Sequence, residues 1–421
     1  MQYDFDKIID RSGSNDIKHV ALEKMFGRSD LIPLWVADME FETPPFITDA
    51  LRRRLEHSLF GYTALPADYW QCVAKWVNDH HQWLMKTEWL RFIPGIVKGI
   101  GFAVNVFTKP GDKVMILSPV YHPFRLVPEG NCREVVQVPL KENVAFGNEP
   151  DADGRQQFYS IDFEAFEHCY DERCKMLILS NPHNPVGICW SRETLVALAR
   201  WCKEHGVIVI SDEIHSDMAV FGKKHIPFAA VSEEAEQNSI TFAAPSKTFN
   251  IAGIVSSWAA VPNDDLRAKF FGWLDANEMA APHLFAPIAT MAAFEHGEDW
   301  RQQMLCYVEN NIRFVEDFCK ENIPSIHPIR PEASFLVWLD CREMCRELQF
   351  TDANGDIDQP KLFDFFVSAG VALNDGGMFG KEGRGFMRLN VGEPRSMLAE
   401  ALKAVAANYR CECSLHSSAM A

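Results

Sequence analysis

Between about residues 90 and 262, short runs of aliphatic and β-branched residues alternate with segments of helical periodicity. In the segment 192–205, for example, apolar residues recur on one face of a helix. Such alternation is the pattern of βαβ units, in which each strand is followed by a helix that covers the sheet. The sequence therefore predicts an α/β fold with a mostly parallel sheet. The predicted strands lie at 113–119, 175–181, 207–213, 239–245 and 256–262.

The C-terminal third of the chain predicts a second, smaller α+β domain. Residues 264–322 have the pattern of helices, interrupted near Pro282 and Pro287. The last dozen residues are small and polar, and we expect them to form a disordered tail. Between these segments we predict strands at 334–340 and 385–391 and helices at 360–369 and 395–409.

The composition excludes several classes of partner. The chain of 421 residues has 41 Lys+Arg against 58 Asp+Glu, which gives a net charge of −17. This acidic balance argues against binding to nucleic acid or to anionic membranes. No segment is apolar enough to span a bilayer, and the first residues lack the pattern of a secretory signal. We therefore expect a cytoplasmic protein.

The twelve cysteines include no C-x-x-C pair and no neighbouring cluster of histidines. This pattern indicates buried free thiols in a reducing compartment. We predict no metal site.

Polar residues follow four of the predicted strands directly. In a parallel sheet, ligands bind at the carboxyl ends of the strands, where loops and helix N-termini gather. We therefore expect the residues at these strand ends to share one cleft. They are Ser118–Tyr121, Asn181–Pro185, Asp212–His215 and Pro245–Thr248.

Lys247 and Asp212 are the residues at these strand ends with the most distinctive chemistry. Lys247 can form a Schiff base if its neighbours lower its pKa, although taken alone it also suits an ordinary surface lysine. Asp212 can pair with a protonated pyridine nitrogen. The same position suits a helix N-cap, so the residues alone leave both alternatives open.

Four other features have both a functional and a structural interpretation. Asn184 lies in a turn with two Asn-Pro steps, which either aims its amide into the cleft or only stiffens the turn. Tyr121 can stack on a planar ring or pack under its Pro-rich loop. The segment 92–101 can begin a helix whose N–H groups bind phosphate, but it lacks the G-x-G-x-x-G fingerprint. Arg388 interrupts an apolar strand, which favours an anion-binding role because a buried arginine needs a partner.

Five motifs together resemble the fold type I pyridoxal 5'-phosphate (PLP) enzymes of the class I/II aminotransferase family. They are PVYHPF, NPHNPVG, SDEIHSD, APSKTFNIAG and GFMRLNVG, in this order along the chain. Further segments resemble more narrowly the MalY/PatB-type cystathionine β-lyases, a subgroup of C–S lyases. These are WVADMEF at 35–41, FGYT at 60–63, the histidine of SDEIH and FGKEGRGFMRLN at 379–390. The resemblance covers essentially residues 1 to 410.

The resemblance implies a large PLP-binding domain with a mostly parallel seven-stranded sheet in α/β/α layers, and a smaller α+β domain. An N-terminal arm and part of the small domain would occupy residues 1–46. The large domain would span 47–290 and the small domain 291–410, with 411–421 as a disordered tail. The resemblance also implies a homodimer with shared active sites.

The resemblance assigns roles around the PLP ring. Lys247 would bind the cofactor as a Schiff base, Asp212 would pair with the pyridine nitrogen, and Asn184 would hydrogen-bond the phenolic oxygen. Tyr121 would stack on the ring. His215 occupies the place where many aminotransferases have a tyrosine beside the phenolic oxygen.

Other implied roles concern the cofactor phosphate and the substrate. Arg388 would bind the substrate α-carboxylate, and Ala37 and Asn184 would also contact the substrate. The phosphate would be held by the backbone amides of Ile96, Val97 and Lys98, by the Ser246 hydroxyl and, from the neighbouring subunit, by Tyr62. The implied catalytic residues are Lys247, Tyr121 and Tyr62.

The activity implied by the resemblance is that of a C–S β-lyase. Such an enzyme cleaves cystathionine or related cysteine S-conjugates to pyruvate, ammonia and a thiol. An aminotransferase acting on aromatic or broad-range amino acids remains an alternative, because the same cofactor residues serve both reactions. A catalytically silent PLP-binding regulator is an alternative of another class. The missing glycine fingerprint argues against a nicotinamide-dependent enzyme.

Overall fold

The computed structural model describes residues 1–143 and 157–419. The chain divides into two compact units. The larger unit comprises Thr43–Asn184 and Ile188–Gln302, and the smaller unit comprises Met1–Glu42, Pro185–Gly187 and Gln303–Ala421.

The strands and helices of the described residues are numbered here in chain order. The strands are β1 (Ile32–Pro33), β2 (Leu90–Ile93), β3 (Lys113–Ser118), β4 (Glu134–Pro139), β5 (Lys141–Glu142), β6 (Tyr159–Ser160), β7 (Cys174–Ser180), β8 (Ile208–Asp212), β9 (Ser239–Ala243), β10 (Ser257–Ala260), β11 (His327–Ile329), β12 (Leu336–Asp340), β13 (Val371–Ala372), β14 (Asn374–Asp375) and β15 (Phe386–Asn390). The α-helices are α1 (Ile17–Val20), α2 (Leu22–Phe26), α3 (Pro45–Leu55), α4 (Tyr69–His81), α5 (Ile96–Phe107), α6 (Pro123–Gly130), α7 (Phe163–Cys169), α8 (Arg192–Glu204), α9 (Glu233–Gln237), α10 (Asp264–Ala276), α11 (Phe285–His296), α12 (Glu298–Asn322), α13 (Arg342–Glu347), α14 (Gln359–Ser368) and α15 (Arg395–Ala419).

The larger unit is built on a seven-stranded sheet with the order β2-β10-β9-β8-β7-β3-β4. Strands β4, β3, β7, β8 and β9 are parallel to one another, and β10 runs antiparallel to both β9 and β2. The predicted α/β fold with a mostly parallel sheet is therefore confirmed. The five strands predicted from sequence all occur, with ends that agree within two residues.

One face of this sheet is covered by helix α5, which packs on strands β2, β7, β8, β9 and β10. Gly99 permits this packing, because a Cβ atom there would lie 2.6 Å from Ile93 Cδ1 and 3.4 Å from the Phe242 ring. The core on this face includes Ile96, Ile100, Ala103, Val104, Ile116, Ile178, Ile210, Ile240 and Phe242.

Three helices, α10, α11 and α12, occupy the predicted helical segment. The predicted interruption near Pro282 is confirmed by the break between α10 and α11. The interruption expected near Pro287 was wrong, because Pro287 lies inside the first turn of α11. Proline is tolerated there because the N–H groups of a first helical turn have no intrahelical acceptor.

The smaller unit contains a four-stranded antiparallel sheet with the order β11-β12-β15-β14, and β1 pairs in parallel with β13. Gly187 closely approaches the backbone of residues 331–333. The Gly187 carbonyl accepts hydrogen bonds from the N–H groups of Glu332 (2.8 Å) and Ala333 (3.0 Å). Gly187 has φ = +75°, and a Cβ atom there would lie 2.4 Å from Pro331 Cβ and 2.6 Å from the Ala333 carbonyl oxygen.

A buried charge cluster lies in the smaller unit. Lys18 is 0 % exposed, and its ammonium group lies 2.8 Å from Glu393 and 2.9 Å from Glu40. Arg11 joins the cluster through Glu40 (2.5 Å) and Asp38 (3.2 Å). These contacts compensate charges that would be costly to bury alone, and they fix the N-terminal segment onto a residue near the other end of the chain.

Helix α15 continues to Ala419, beyond the predicted end at 409 and into the segment 411–421 that the sequence predicted as a tail. No glycine or proline occurs between Arg395 and Ala419 to end the helix. Within the described residues, no helix is long and apolar enough to cross a membrane.

Candidate active site

The carboxyl ends of four neighbouring strands meet at one edge of the sheet in the larger unit. Ser180 at the end of β7 pairs in register with Asp212 at the end of β8, and Asp212 pairs with Phe242 of β9. Strand β3 lies on the other side of β7, with Ile116 opposite Ile178. Because each strand is followed by one of the polar motifs, the structure brings the four motifs to one edge, as predicted.

Asp212 is buried at this edge, with 6 % of its surface exposed. Its Oδ1 accepts a hydrogen bond from the Ile214 N–H at 3.1 Å. Burial raises the pKa of Asp212 to about 7, a shift that the charge of Lys247 opposes. A carboxyl group in this state is stabilised as the anion by a nearby cation, and a protonated ring nitrogen is such a cation. The chemistry of this position therefore fits a pyridine ring.

Lys247 follows β9 in a turn and is half-buried. The turn is closed by two backbone hydrogen bonds, from the Phe249 N–H to the Pro245 carbonyl and from the Ile251 N–H to the Ser246 carbonyl, both 3.0 Å. The charge of Lys247 acts on Asp212, so the two groups share one electrostatic environment. An amine beside a buried carboxylate can both bind a carbonyl compound and transfer a proton.

Asn184 and Tyr121 are linked directly. The Tyr121 N–H donates to the Asn184 carbonyl at 3.2 Å, and the Asn184 N–H donates to Ser180 Oγ at 3.1 Å. The Tyr121 ring contacts Phe124 at a centroid distance of 6.2 Å. The structure thus joins the loops after β3 and β7, which carry these two predicted site residues.

His183 strengthens the same junction and was missed by the sequence reasoning. Its Nε2–H donates to the Pro119 carbonyl at 2.8 Å, and its ring packs edge-on against Trp190. Burial lowers the pKa of His183 to about 4, so the imidazole is neutral at ordinary pH. Its position between two prolines of the NPHNP motif was the only sequence signal for this role.

His215 is buried and directly precedes a short 3₁₀ helix, Ser216–Met218. It lies three residues after Asp212, on the segment that leaves the sheet edge. Glu213, on the same segment, was also missed. It is buried and its carboxylate accepts hydrogen bonds from Ser211, His225 and the Phe228 N–H.

Helix α5 begins at Ile96, directly after Gly95. The first N–H groups of a helix have no intrahelical acceptor, so those of Ile96, Val97 and Lys98 are available to an anion. The Val97 and Lys98 side chains are exposed. Ser246 is the fourth predicted phosphate ligand of this chain. It directly precedes Lys247, and it is buried.

Tyr62 differs from the other predicted residues of the larger unit because its side chain is fully exposed. It lies in the irregular segment that follows α3. Within this chain, Tyr62 is therefore not packed among the strand-end residues.

Arg388 and Ala37 lie in the smaller unit. Arg388, on β15, is buried and donates from Nη2 to the Asn374 side chain (2.5 Å) and to the Trp35 carbonyl (3.2 Å). Its guanidinium lies 4.9 Å from the centroid of the Phe379 ring.

The segment that contains Ala37 is held on the same strand. Asn390 Nδ2, two residues beyond Arg388, donates to the carbonyls of Val36 (2.8 Å) and Asp38 (2.6 Å). The structure therefore brings the two predicted substrate-binding residues of this unit to one strand. Asn390 was missed by the sequence reasoning, although the spacing Arg388-x-Asn390 places both side chains on one face of the strand.

The sequence profile of the family described as aminotransferase class I and II matches residues 29–405. The chain belongs to this family. Among its curated relatives, cystathionine beta-lyase PatB of Bacillus subtilis is 39% identical over 404 residues, which cover 96% of this chain and 99% of the relative. Protein MalY of Escherichia coli is 30% identical over 400 residues, with 94% and 96% covered.

Solved structures of family members agree with the fold. Cystalysin from Treponema denticola, which contains a pyridoxal 5'-phosphate cofactor, superposes with a TM-score of 0.88 at 31% identity and covers 97% of this chain and 99% of its own. The PLP-bound C–S lyase from Staphylococcus hominis superposes with a TM-score of 0.87 at 31% identity, with 97% and 98% covered. The predicted family and its fold type are therefore confirmed.

Proposed function

We propose that this aminotransferase-family chain is a PLP-dependent C–S β-lyase that cleaves cystathionine or related cysteine S-conjugates. The observation that carries the proposal is the 39% identity, over almost the full length of both chains, to a cystathionine beta-lyase. The buried Asp212 carboxyl at the sheet edge, with Lys247 in its electrostatic environment, supports the cofactor part of the proposal.

Residues of the larger unit would hold the cofactor. Lys247 would bind it covalently, Asp212 would keep its ring nitrogen protonated, and Asn184 and His215 would lie at its phenolic oxygen. Tyr121 would stack on the ring. When bound, PLP supplies an electron sink for the carbanion formed at the substrate Cα.

The chain's own groups would then direct the elimination. Arg388 would bind the substrate α-carboxylate as a charge-assisted pair, with Ala37 and Asn184 as further contacts. Lys247 would remove the Cα proton, the Cβ–S bond would break, and the sulfur would leave as a thiol after gaining a proton. Hydrolysis of the remaining three-carbon fragment with one water gives pyruvate and ammonia, so all atoms are accounted for.

The test is to incubate the PLP-loaded protein with cystathionine, without any keto acid, and to measure pyruvate and free thiol. We expect equal amounts of both, and none from Lys247→Ala. Borohydride reduction and peptide mapping should place the cofactor on Lys247. Turnover that requires an added keto acid would instead identify an aminotransferase. Cofactor binding without turnover of any amino acid would identify a regulator.

We further propose that the protein is a homodimer in which Tyr62 completes the phosphate site of the partner. Support comes from the segment around Tyr62, where large apolar side chains are exposed, as at a surface that another chain covers. They are Leu55, Leu59 and Phe60. Backbone amides of Ile96, Val97 and Lys98 and the Ser246 hydroxyl would supply the remaining phosphate contacts.

We also propose a cytoplasmic location and the domain limits that the family resemblance implies. All twelve cysteines lie within the described residues and none forms a disulfide, which supports a reducing compartment such as the cytoplasm. We propose that residues 47–290 act as the PLP-binding domain, with 1–46 as an arm and part of the small domain and 291–410 as the small C-terminal domain.

A further inference from the structure

We propose that Glu213 is a positioning residue for Asp212, because it fixes the segment that carries the partner of the cofactor ring nitrogen. This inference rests on the proposed function. Glu213 directly follows Asp212 and is itself buried. It is not one of the residues proposed to contact the cofactor or the substrate.

The Glu213 carboxylate accepts hydrogen bonds from three donors of the larger unit. Its Oε1 accepts from Ser211 Oγ at 2.9 Å and from the Phe228 N–H at 2.8 Å. Its Oε2 accepts from His225 Nε2 at 2.8 Å. A buried carboxylate held by this many donors has one favoured orientation, because any rotation leaves a buried donor without an acceptor.

Further contacts connect Glu213 to the neighbouring strand ends. The Glu213 N–H donates to the Phe242 carbonyl on β9 at 2.8 Å. On the β7 side, the Asn181 side chain lies 3.5 Å from Glu213 Oε1, and the Asn181 N–H donates to the Asp212 carbonyl at 2.9 Å. Backbone hydrogen bonds made by Glu213 and Asn181 therefore fix the backbone on both sides of Asp212.

A second carboxylate fixes the far end of this segment. Asp217 Oδ1 accepts from His81 Nε2 at 2.8 Å and from Trp76 Nε1 at 3.1 Å, both on α4. The rings of His81 and His225 meet edge-on at a centroid distance of 5.1 Å. The segment 212–217 is thus anchored at both ends by buried carboxylate–histidine pairs that contact each other.

The test uses PLP and an analogue that has a carbon atom in place of the ring nitrogen. Both are titrated into the cofactor-free protein, and the dissociation constants are read from visible absorbance and circular dichroism. We expect Glu213→Gln to weaken binding of PLP by about tenfold, because an amide presents a donor to groups that are themselves donors. Binding of the analogue should stay within about twofold, since Asp212 has no nitrogen to hold there.

Glu167→Gln, at an exposed carboxylate, is the control for the change of a carboxylate to an amide. Glu167 on α7 accepts from Trp201 Nε1 at 2.6 Å and lies 3.7 Å from His205 Nε2, so it has the same kinds of neighbours as Asp217. It lies on a helix and not at the strand ends. This variant should bind both cofactors as the wild type does.

Two variants at His225 keep the test decisive if Glu213→Gln folds poorly. His225→Gln places a side-chain N–H donor within reach of Glu213 and should keep the preference for PLP over the analogue. His225→Leu removes the donor and should reduce that preference. The last measurement uses the double variant. When Asp212→Ala is already present, adding Glu213→Gln should have no further effect on PLP binding.

The outcomes separate the two proposals. Equal weakening of PLP and analogue by Glu213→Gln, with a lower melting temperature of the cofactor-free protein, would overturn the positioning role and leave Asp212 as proposed. A further loss of PLP binding when Glu213→Gln is added to Asp212→Ala would overturn it as well. Equal affinity of the wild type for PLP and the analogue would overturn the role of Asp212, and the positioning role with it.

Discussion

At the scale of single residues, Asp212 has an unusual electrostatic state in the cofactor-free chain. Its carboxyl group is buried, and the pKa is raised from 3.8 to about 7 mainly by burial. In the unfolded chain the same group is ionised above about pH 4. The folded state therefore binds one more proton than the unfolded state between these pH values, and stability must fall as the pH rises through this window.

This linkage predicts the pH dependence of stability. Between pH 5.5 and 8, the cofactor-free wild type should lose about 2 kcal/mol more unfolding free energy than Asp212→Asn, whose side chain does not titrate. Urea unfolding of both proteins at the two pH values measures the difference. With PLP added at pH 8, the wild type should instead be more stable than Asp212→Asn, because the cationic ring then stabilises the wild-type carboxylate. Parallel pH profiles of the two cofactor-free proteins would contradict the assignment.

Arg388 allows a prediction about substrate binding. Replacing Arg388 with Leu removes the charge proposed to bind the α-carboxylate and should raise the KM for cystathionine by roughly 30-fold or more. The visible spectrum of the bound cofactor should not change. Arg384→Leu, in the loop that precedes β15, is the control and should leave KM unchanged. A change of spectrum with unchanged KM would show that Arg388 acts on the cofactor instead.

The residues found by sequence reasoning differ in a physical way from those it missed. Asp212 and Lys247 were predicted because a strand pattern directly precedes each of them, so that the fold alone sends them to the sheet edge. His183 acts through the Pro119 carbonyl, 64 residues away, and Glu213 through His225 and Phe228. No periodicity encodes such partners, because they depend on which loops the fold brings together.

At the scale of elements, the close approach at Gly187 should limit substitution. Gly187→Ala should lower the unfolding free energy by about 2–4 kcal/mol, because it adds positive-φ strain to a clash with backbone atoms. Gly206→Ala is the control, since Gly206 has φ = +65° but no atom within 4 Å of the place that a methyl group would occupy. It should cost only about 1–2 kcal/mol. Urea unfolding midpoints of the two variants compare the costs, and equal costs would mean that the backbone at Gly187 relaxes.

Some of the elements that sequence reasoning missed have weak apolar patterns. The predicted strands of the central sheet are buried on both faces, which gives continuous apolar runs. By contrast, β4 lies at the edge of the sheet and is partly exposed, so its sequence EVVQVP mixes polar and apolar residues. The extension of α15 was missed because its last residues are polar and carry no periodic apolar face.

At the scale of the whole molecule, the proposed dimer predicts complementation between inactive variants. Tyr62→Ala and Lys247→Ala would each damage a different half of a composite site. Random exchange of subunits would give heterodimers with one intact site and one doubly damaged site, so about a quarter of the wild-type activity should return. Light scattering gives the oligomeric state of the same samples. A fully active monomer, or no recovery on mixing, would contradict shared sites.

The pairing of Lys18 with Glu393 restricts the order in which the nascent chain can fold. The two residues are 375 positions apart, an interval that takes roughly 20–75 s at a synthesis rate of about 5–20 residues per second. During this time Glu40 but not Glu393 is available to Lys18, so complete burial of the ammonium group remains unfavourable. Nearly all of the larger unit leaves the ribosome in the same interval and can fold first. The N-terminal segment is therefore expected to be the part of the chain that chaperones and proteases reach for longest during translation.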